Sequence, residues 1–206
     1  MIAAMKLYGT KTSPFVRRVR IVAAELGVPI ELVDTTSDDG QKALRAVSPL
    51  WKVPVVELDG RVIFDSRIII DHLLDEHGYG SLRPVSTEPS GWVCEQNLVS
   101  AIDTALESAV VVYYFDREGA ELDRSPYLVK QRDRIESILG WIDSQLDGPW
   151  VTSEAQIGLS EIALVTALDW FVFRERYPVD SHPNLAAFRA AHAGHPSLRS
   201  TYPVLS

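Results

Sequence analysis

The chain has 206 residues, 46% of them apolar and 23% charged, which is ample for a buried core, rules out a disordered chain, and fits one large domain or two small ones. With 20 Lys and Arg against 28 Asp and Glu, the net charge is −8, the opposite of the basic excess expected of a nucleic-acid binder. The single cysteine, Cys94, excludes an intramolecular disulfide scaffold and a cysteine-built metal or iron–sulfur site.

Taken in chain order, Met5–Gly9 reads as a strand and Thr10–Ser13 as a loop. Pro14–Leu26 places Phe15, Val19, Val22 and Leu26 at helical spacing, and Gly27 and Pro29 end that helix. Ile30–Asp34 is a second strand, and a short helix is expected around Lys42–Val47. Val55–Leu58 and Val62–Phe64 flank Asp59-Gly60, a strong hairpin signal. Arg67–Glu76 is a further helix. The order βαβαββα implies a parallel βαβ unit with an added antiparallel pair.

Gly78–Ser90 holds two Gly, two Pro, three Ser and one Thr, a linker composition. Strand signals then vanish. Gly91–Phe115, Tyr127–Leu146 and Leu159–Arg176 read as helices, the last apolar all round and so the most buried; Asn184–His192 and Ser197–Ser200 close the chain. The expected domains are 1–77, α/β; 78–90, linker; and 91–206, all-helical. The longest apolar runs are Ala109–Phe115 and Ile162–Phe173, the second broken by Asp169. Both fall short of the roughly 18 residues a membrane span needs. Met1–Met5 lacks the length and the preceding basic residues of a secretion signal. The expectation is a cytoplasmic protein without a membrane segment.

The chemistry gathers at helix starts. Ser13-Pro14 pairs a preferred N-cap with a preferred first helical residue. As a cap, Ser13 needs no further role. The same position, at the positive end of a helix dipole, can also donate a hydrogen bond to a thiolate and lower a thiol's pKa. Pro54, ahead of strand Val55–Leu58, fits a plain strand start, an edge or turn, or a cis bond that would expose the Val53 backbone to an extended peptide. At Asp65-Ser66, Ser66 is a natural N-cap whose neighbouring free amides can hold a carboxylate, and Asp65 can hold an ammonium. Together they suit an α-amino-acid zwitterion, or simply a capped helix.

These motifs resemble the cytosolic glutathione transferases. Lys6-Leu-Tyr-Gly, Ser13-Pro-Phe-Val-Arg-Arg-Val-Arg-Ile21 and Leu26-Gly-Val-Pro-Ile-Glu31 look like the start of that family. Ser48-Pro-Leu-Trp-Lys-Val-Pro-Val-Val56 is similar to its N-P-x-x-K-V-P-x-L segment. Asp65-Ser66-Arg-Ile-Ile-Ile70 resembles its E-S-x-A-I segment, and His182-Pro-Asn-Leu185 its late H-P-x-L stretch. The Ser13-Pro-Phe form resembles the serine-type branches, including a bacterial one.

The resemblance implies a thioredoxin-like domain, an all-helical domain and a homodimer. It implies that Ser13 donates to the glutathione thiolate, with Phe15 beside the tripeptide. Val53, before Pro54, would pair with the cysteinyl backbone, Asp65 and Ser66 would hold the γ-glutamyl end, and Lys52 would lie near the glycine carboxylate. Glutathione is then a co-substrate, with no permanently bound cofactor and no metal. The implied reaction is conjugation to an electrophilic hydrophobic acceptor, as in detoxification. Glutathione-dependent isomerisation or dehalogenation, and a non-catalytic regulatory protein, are the alternatives.

Tyr8 is a rival thiol activator, or otherwise a strand residue packed by its ring. Tyr113, Tyr114, Trp170 and Phe173, with Phe15, are candidates for an acceptor pocket or simply core. Asp65 is shorter than the family's usual Glu or Gln, and Trp51 is bulky beside the glycyl pocket. Gly158-Leu-Ser-Glu161 replaces the S/T-x-x-D helix box of the second domain. Cys-x-x-Cys chemistry is excluded where Ser13-Pro-Phe-Val16 stands. Arg17, Arg18 and Arg20 read as a solvated helix face with Arg17 toward the cleft, Asp103 as a solvated acid or, as the resemblance implies for some relatives, one that reaches across a dimer cleft, and Cys94 as a packing thiol. His182, His192 and His195 lack metal-site spacing.

Overall fold

A computed structural model describes residues 5–152 and 154–204; of the opening Met1–Met5, all but Met5 lies outside them. The chain forms two compact units. One runs to Arg83 and resumes from Gly194; the other spans Pro84–Ala193.

The first unit holds β1 (Met5–Gly9), α1 (Pro14–Glu25), β2 (Ile30–Asp34), α2 (Asp38–Val47), β3 (Val55–Leu58), β4 (Arg61–Phe64) and α3 (Ser66–His77). The sheet order is β2-β1-β3-β4. β1 is parallel to β2, and β3 runs antiparallel to β1 and β4. The hairpin turns through Asp59 and Gly60 at φ 50° and 74°, the pair of positive values a type I′ turn requires. Leu44 of α2 packs on Tyr8 and Val55, with Ala43, Val47, Val33, Val53 and Phe64 around them. Strand alternation sends the paired Leu7 and Val56 to the opposite face. Both are buried there; α3 packs on β3 and β4, and α1 packs on α3. This is a thioredoxin-like domain.

α2 starts earlier than expected. Ser37 caps it by accepting from the Gly40 amide at 3.1 Å, and Asp38 and Asp39 occupy the dipole-favoured first turn. These residues have weak interior propensity, so periodicity alone begins the helix too late. Gly40 has no substitute: a Cβ there would lie 2.0 Å from the Asp34 carbonyl oxygen.

The arginines of α1 are not a solvated face. Arg17 and Arg18 are 2% and 3% exposed. Arg17 donates through Nη2 to the Leu198 carbonyl at 2.9 Å and through Nε to Thr201 Oγ1 at 3.3 Å. Its guanidinium lies 5.5 Å from the Tyr202 ring. Arg20 is half-buried, and burial, followed by the charge of Arg17, lowers its pKa. The cover is the closing segment with its helix Pro196–Ser200. Helical periodicity within α1 carries no information about a partner 184 residues later.

The second unit is all-helical: α4 (Pro89–Arg117), α5 (Pro126–Gln145), α6 (Leu159–Phe173) and α7 (Pro183–His192), with 3₁₀ turns at Leu122–Arg124 and Val179–Ser181. α4 reaches a mean hydropathy of 1.4 over 18 residues, enough by composition for a membrane span. Its unbroken apolar runs are shorter because Ser100, Asp103, Thr104, Glu107 and Ser108 interrupt them. Leu98, Ile102, Leu106, Ala109 and Val112 are buried, and α4 packs against α5 and α6. Cys94 is exposed and does not pack; Trp92 and Val93 beside it are also exposed, so the buried face of α4 begins only further along.

α6 is buried continuously from Ser160 to Phe171. It ends at Phe173 rather than Arg176, because Glu175 turns to φ 53° and the Arg176 amide closes onto the Phe171 carbonyl at 2.9 Å. At its start Gly158 offers no side-chain cap, and Glu161 compensates. This fully buried carboxylate accepts from the amides of Gly158 at 2.9 Å and Val151 at 3.2 Å and from the Ser160 hydroxyl at 3.2 Å. Glu161→Ala strands these donors and is expected to cost about 3 kcal/mol, read as a lower urea midpoint. A loss under about 1 kcal/mol would mean that the carboxylate does not hold the helix start.

Candidate functional site

The strand register brings the candidate segments together. Tyr8 of β1 pairs with Val55 of β3, which pairs with Phe64 of β4. The next position outward on each strand is therefore Gly9, Pro54 and Asp65. One end of the sheet thus gathers the loop to Ser13, the stretch Lys52–Pro54 and the start of α3. Gly9 permits this closeness, since a Cβ on it would stand 2.4 Å from Val16 Cγ2 of α1.

Ser13 is the N-cap of α1, its Oγ accepting from the Val16 amide at 3.3 Å. Its hydroxyl proton goes to no acceptor among the described residues, so the group can cap the helix and donate outward together. Phe15 is half-buried under the guanidinium of Arg18, 5.1 Å from its ring centre.

The Val53–Pro54 bond is cis. Pro54 precedes the first residue of β3, so its missing N–H takes nothing from the ladder. Among the described residues, the backbone N–H and C=O of Val53 make no hydrogen bond. An extended peptide can pair there. Lys52 is exposed and makes no ion pair among the described residues. Trp51 adopts φ 52°, and its exposed ring lies 4.8 Å from the Arg45 guanidinium.

Asp65, not Ser66, is the N-cap of α3. Its carboxylate accepts from the Arg67 amide at 2.8 Å. Both residue types cap helices, and sequence spacing does not separate them. Asp65 has φ 78° and ψ 128°, outside the wells of L-residues. That backbone strain costs about 1–3 kcal/mol and concentrates at functional positions. Ser66 is buried in the first turn, where helix amides lack intrahelical partners, and its hydroxyl has no protein partner among the described residues. An exposed carboxylate thus stands next to amide and hydroxyl donors, the complement of a zwitterion.

Tyr8 faces the other way. It is 2% exposed, and its hydroxyl donates to Glu57 at 3.0 Å. Glu57 pairs in register with Lys6, two rows inward from the sheet end.

In the helical unit, Tyr113 of α4 meets the edges of Tyr114 and Trp170 at 5.4 and 5.9 Å. Trp170 is buried and Tyr114 exposed. Asp103 is half-buried and partnered. The histidines have separate partners: His182 the Tyr177 hydroxyl, His192 the Phe188 carbonyl and His195 the Ser197 hydroxyl. Among the described residues, no group of His, Cys, Asp or Glu is arranged to hold a metal ion.

Sequence reading missed the setting of Tyr177. Its hydroxyl donates to Glu136 at 2.6 Å and lies 2.6 Å from His182 Nε2. Tyrosine has one proton, so His182 Nε2 carries its own and donates to the phenol oxygen. Burial, then the hydrogen bond to Glu136, raises the Tyr177 pKa. Tyr177 and Glu136 border a hollow of about 250 Å³ that Ala109, Val112 and Ile135 also line. His182-Pro was its only sequence signal.

Residues 7–84 match the glutathione S-transferase N-terminal domain and residues 116–205 the C-terminal domain of the same family. The chain belongs to the glutathione S-transferase family. A glutathione S-transferase of Methylobacillus flagellatus KT, solved with glutathione bound, is similar at 28% identity and TM-score 0.85, over 97% of this chain and all of that one. The enzyme of Methylobacterium radiotolerans, solved with glutathione sulfonate, shares 28% identity at TM-score 0.84, over 99% and 97% of the two chains. The uncharacterized GST-like protein YibF of Escherichia coli K12 is 27% identical over 84% of this chain and 85% of its own.

Asparagine can both cap and adopt positive φ. Asp65→Asn is therefore expected to keep stability within about 0.5 kcal/mol, whereas Asp65→Ala loses about 1–2 kcal/mol. Equal midpoints for the two variants in urea unfolding would contradict the cap.

Proposed function

We propose that this protein is a serine-type glutathione transferase that binds glutathione at the end of the sheet and directs its thiolate at an electrophilic carbon. The unpaired Val53 backbone, set between Ser13 and Asp65 by the strand register, supports this reading above all else. An extended tripeptide with an ammonium-bearing end matches that row of groups. Val53 pairs with the cysteinyl backbone. Asp65 and the first turn of α3 hold the γ-glutamyl ammonium and carboxylate, and Lys52 lies toward the glycyl carboxylate. Phe15 flanks the tripeptide.

Ser13 donates its free hydroxyl proton to the thiolate at the start of α1, where the dipole adds to the stabilisation. It stays uncovalent throughout. Sulfur forms the new bond to carbon, and the leaving group departs with its electron pair. Orientation and thiolate stabilisation supply the catalysis, with glutathione as co-substrate and no resident cofactor. Tyr113, Tyr114 and Trp170 contribute the acceptor surface. The protein acts in the cytoplasm on hydrophobic electrophiles, as a homodimer.

Calorimetry with glutathione tests the site. The wild type binds, and Asp65→Asn weakens binding at least about tenfold, the range of a lost charge-assisted pair. Ser13→Ala keeps affinity within about threefold while the thiolate absorbance of the bound tripeptide falls. No binding at millimolar glutathione would overturn the assignment.

A further inference from the structure

We propose that the acceptor surface selects electrophiles bearing a carboxylate, through the arginines gathered on Tyr113. This inference rests on the transferase reading and adds the acceptor's chemical class. Arg117, Arg174 and Arg176 place their guanidinium carbons 5.6, 5.0 and 5.4 Å from the centre of the Tyr113 ring. Arg174 also lies 4.9 Å from the centre of Phe173. Among the described residues, one carboxylate answers them: Asp116 pairs with Arg176. Arg117 donates to the Tyr113 hydroxyl at 3.3 Å. Among the described residues, neither Arg117 nor Arg174 has an acid within ion-pair distance. The Nε of Arg174 is buried with no hydrogen-bond partner among the described residues.

Three like charges around one ring repel each other. Cation–π attraction offsets only about 0.5–1 kcal/mol per contact at accessible sites. A buried guanidinium donor without an acceptor adds a desolvation cost. Three guanidiniums thus stand around an aromatic ring with Asp116 as the one carboxylate paired to any of them among the described residues, while Glu118 and Glu175 beside them in sequence form no ion pair with them. An arene carrying a carboxylate satisfies both features. Its anionic group takes the fork donors of Arg117 and Arg174, and its flat ring lies along Tyr113 and Phe173.

Binding of 3-nitrobenzoate and of neutral 3-nitrobenzamide, measured by NMR titration, tests the surface without glutathione. The carboxylate is expected to bind about tenfold more tightly, and the preference to shrink with salt. It should fall about threefold in Arg117→Gln, whose residue is exposed, and vanish in Arg117→Gln/Arg174→Gln, with glutathione affinity unchanged. Turnover supplies the second reading. The glutathione thiolate displaces chloride from 4-chloro-3-nitrobenzoate, the C–S bond forming as chloride leaves with the C–Cl electron pair. Relative to the uncatalysed rates, kcat/KM should favour this acid over 4-chloro-3-nitrobenzamide, and the double variant should erase the difference. Equal binding of acid and amide by the wild type, or a preference that survives the double variant, would overturn the proposal. If glutathione fails to bind while the arginine-dependent preference for the acid persists, the transferase reading falls and the anion-selective surface stands.

Discussion

The cross-strand row Tyr8–Val55–Phe64 is the constraint on which the candidate site depends. Once these residues pair, Gly9, Pro54 and Asp65 must follow at the same end of the sheet. Each begins a departure from regular structure: a loop into α1, a strand start and a helix cap. A slip of one residue would turn Tyr8 and Val55 away from Leu44, so burial of that cluster enforces the register. The core on the α2 face thereby aligns the polar groups at the sheet end. Packing and function here are one specification, with Gly9 allowing α1 to start against β1.

Much of this was legible in the sequence. β1, β2 and β3 lie where alternation and turn residues put them, and Asp59-Gly60 marks the hairpin. Ser13-Pro14 marks the start of α1. Less legible were features decided by distant chain. Arg17 looks like a surface residue from its own helix, and its burial comes from Leu198, Thr201 and Tyr202. Asp65 and Ser66 are both good caps, and only the backbone geometry distinguishes them. The convergence of Ser13, Val53 and Asp65 needs the pairing register, which no local pattern contains. Cys94 fell on the exposed side because the buried face of α4 begins only after it.

In the helical unit, buried polar residues act as fixed joints. Glu161 organises the start of α6 by accepting three donors. Asp169 holds α7 through Arg189 at 2.6 Å. Glu161 and Asp169 each have internal counterparts that explain their place in the core. The arginines on Tyr113 differ, since their donors exceed the acceptors that the described residues supply. That contrast separates a structural ion pair from a surface awaiting an anion.

The central claim is that the sheet end holds an extended glutathione molecule along the Val53 backbone. Amide chemical-shift mapping during a glutathione titration tests it most directly. The account predicts saturable shifts concentrated at Val53, Ser66 and Arg67, with smaller changes near Ser13 and little at Tyr8. Saturable shifts that leave Val53 and Ser66 unmoved, or no shifts at millimolar glutathione, would contradict it.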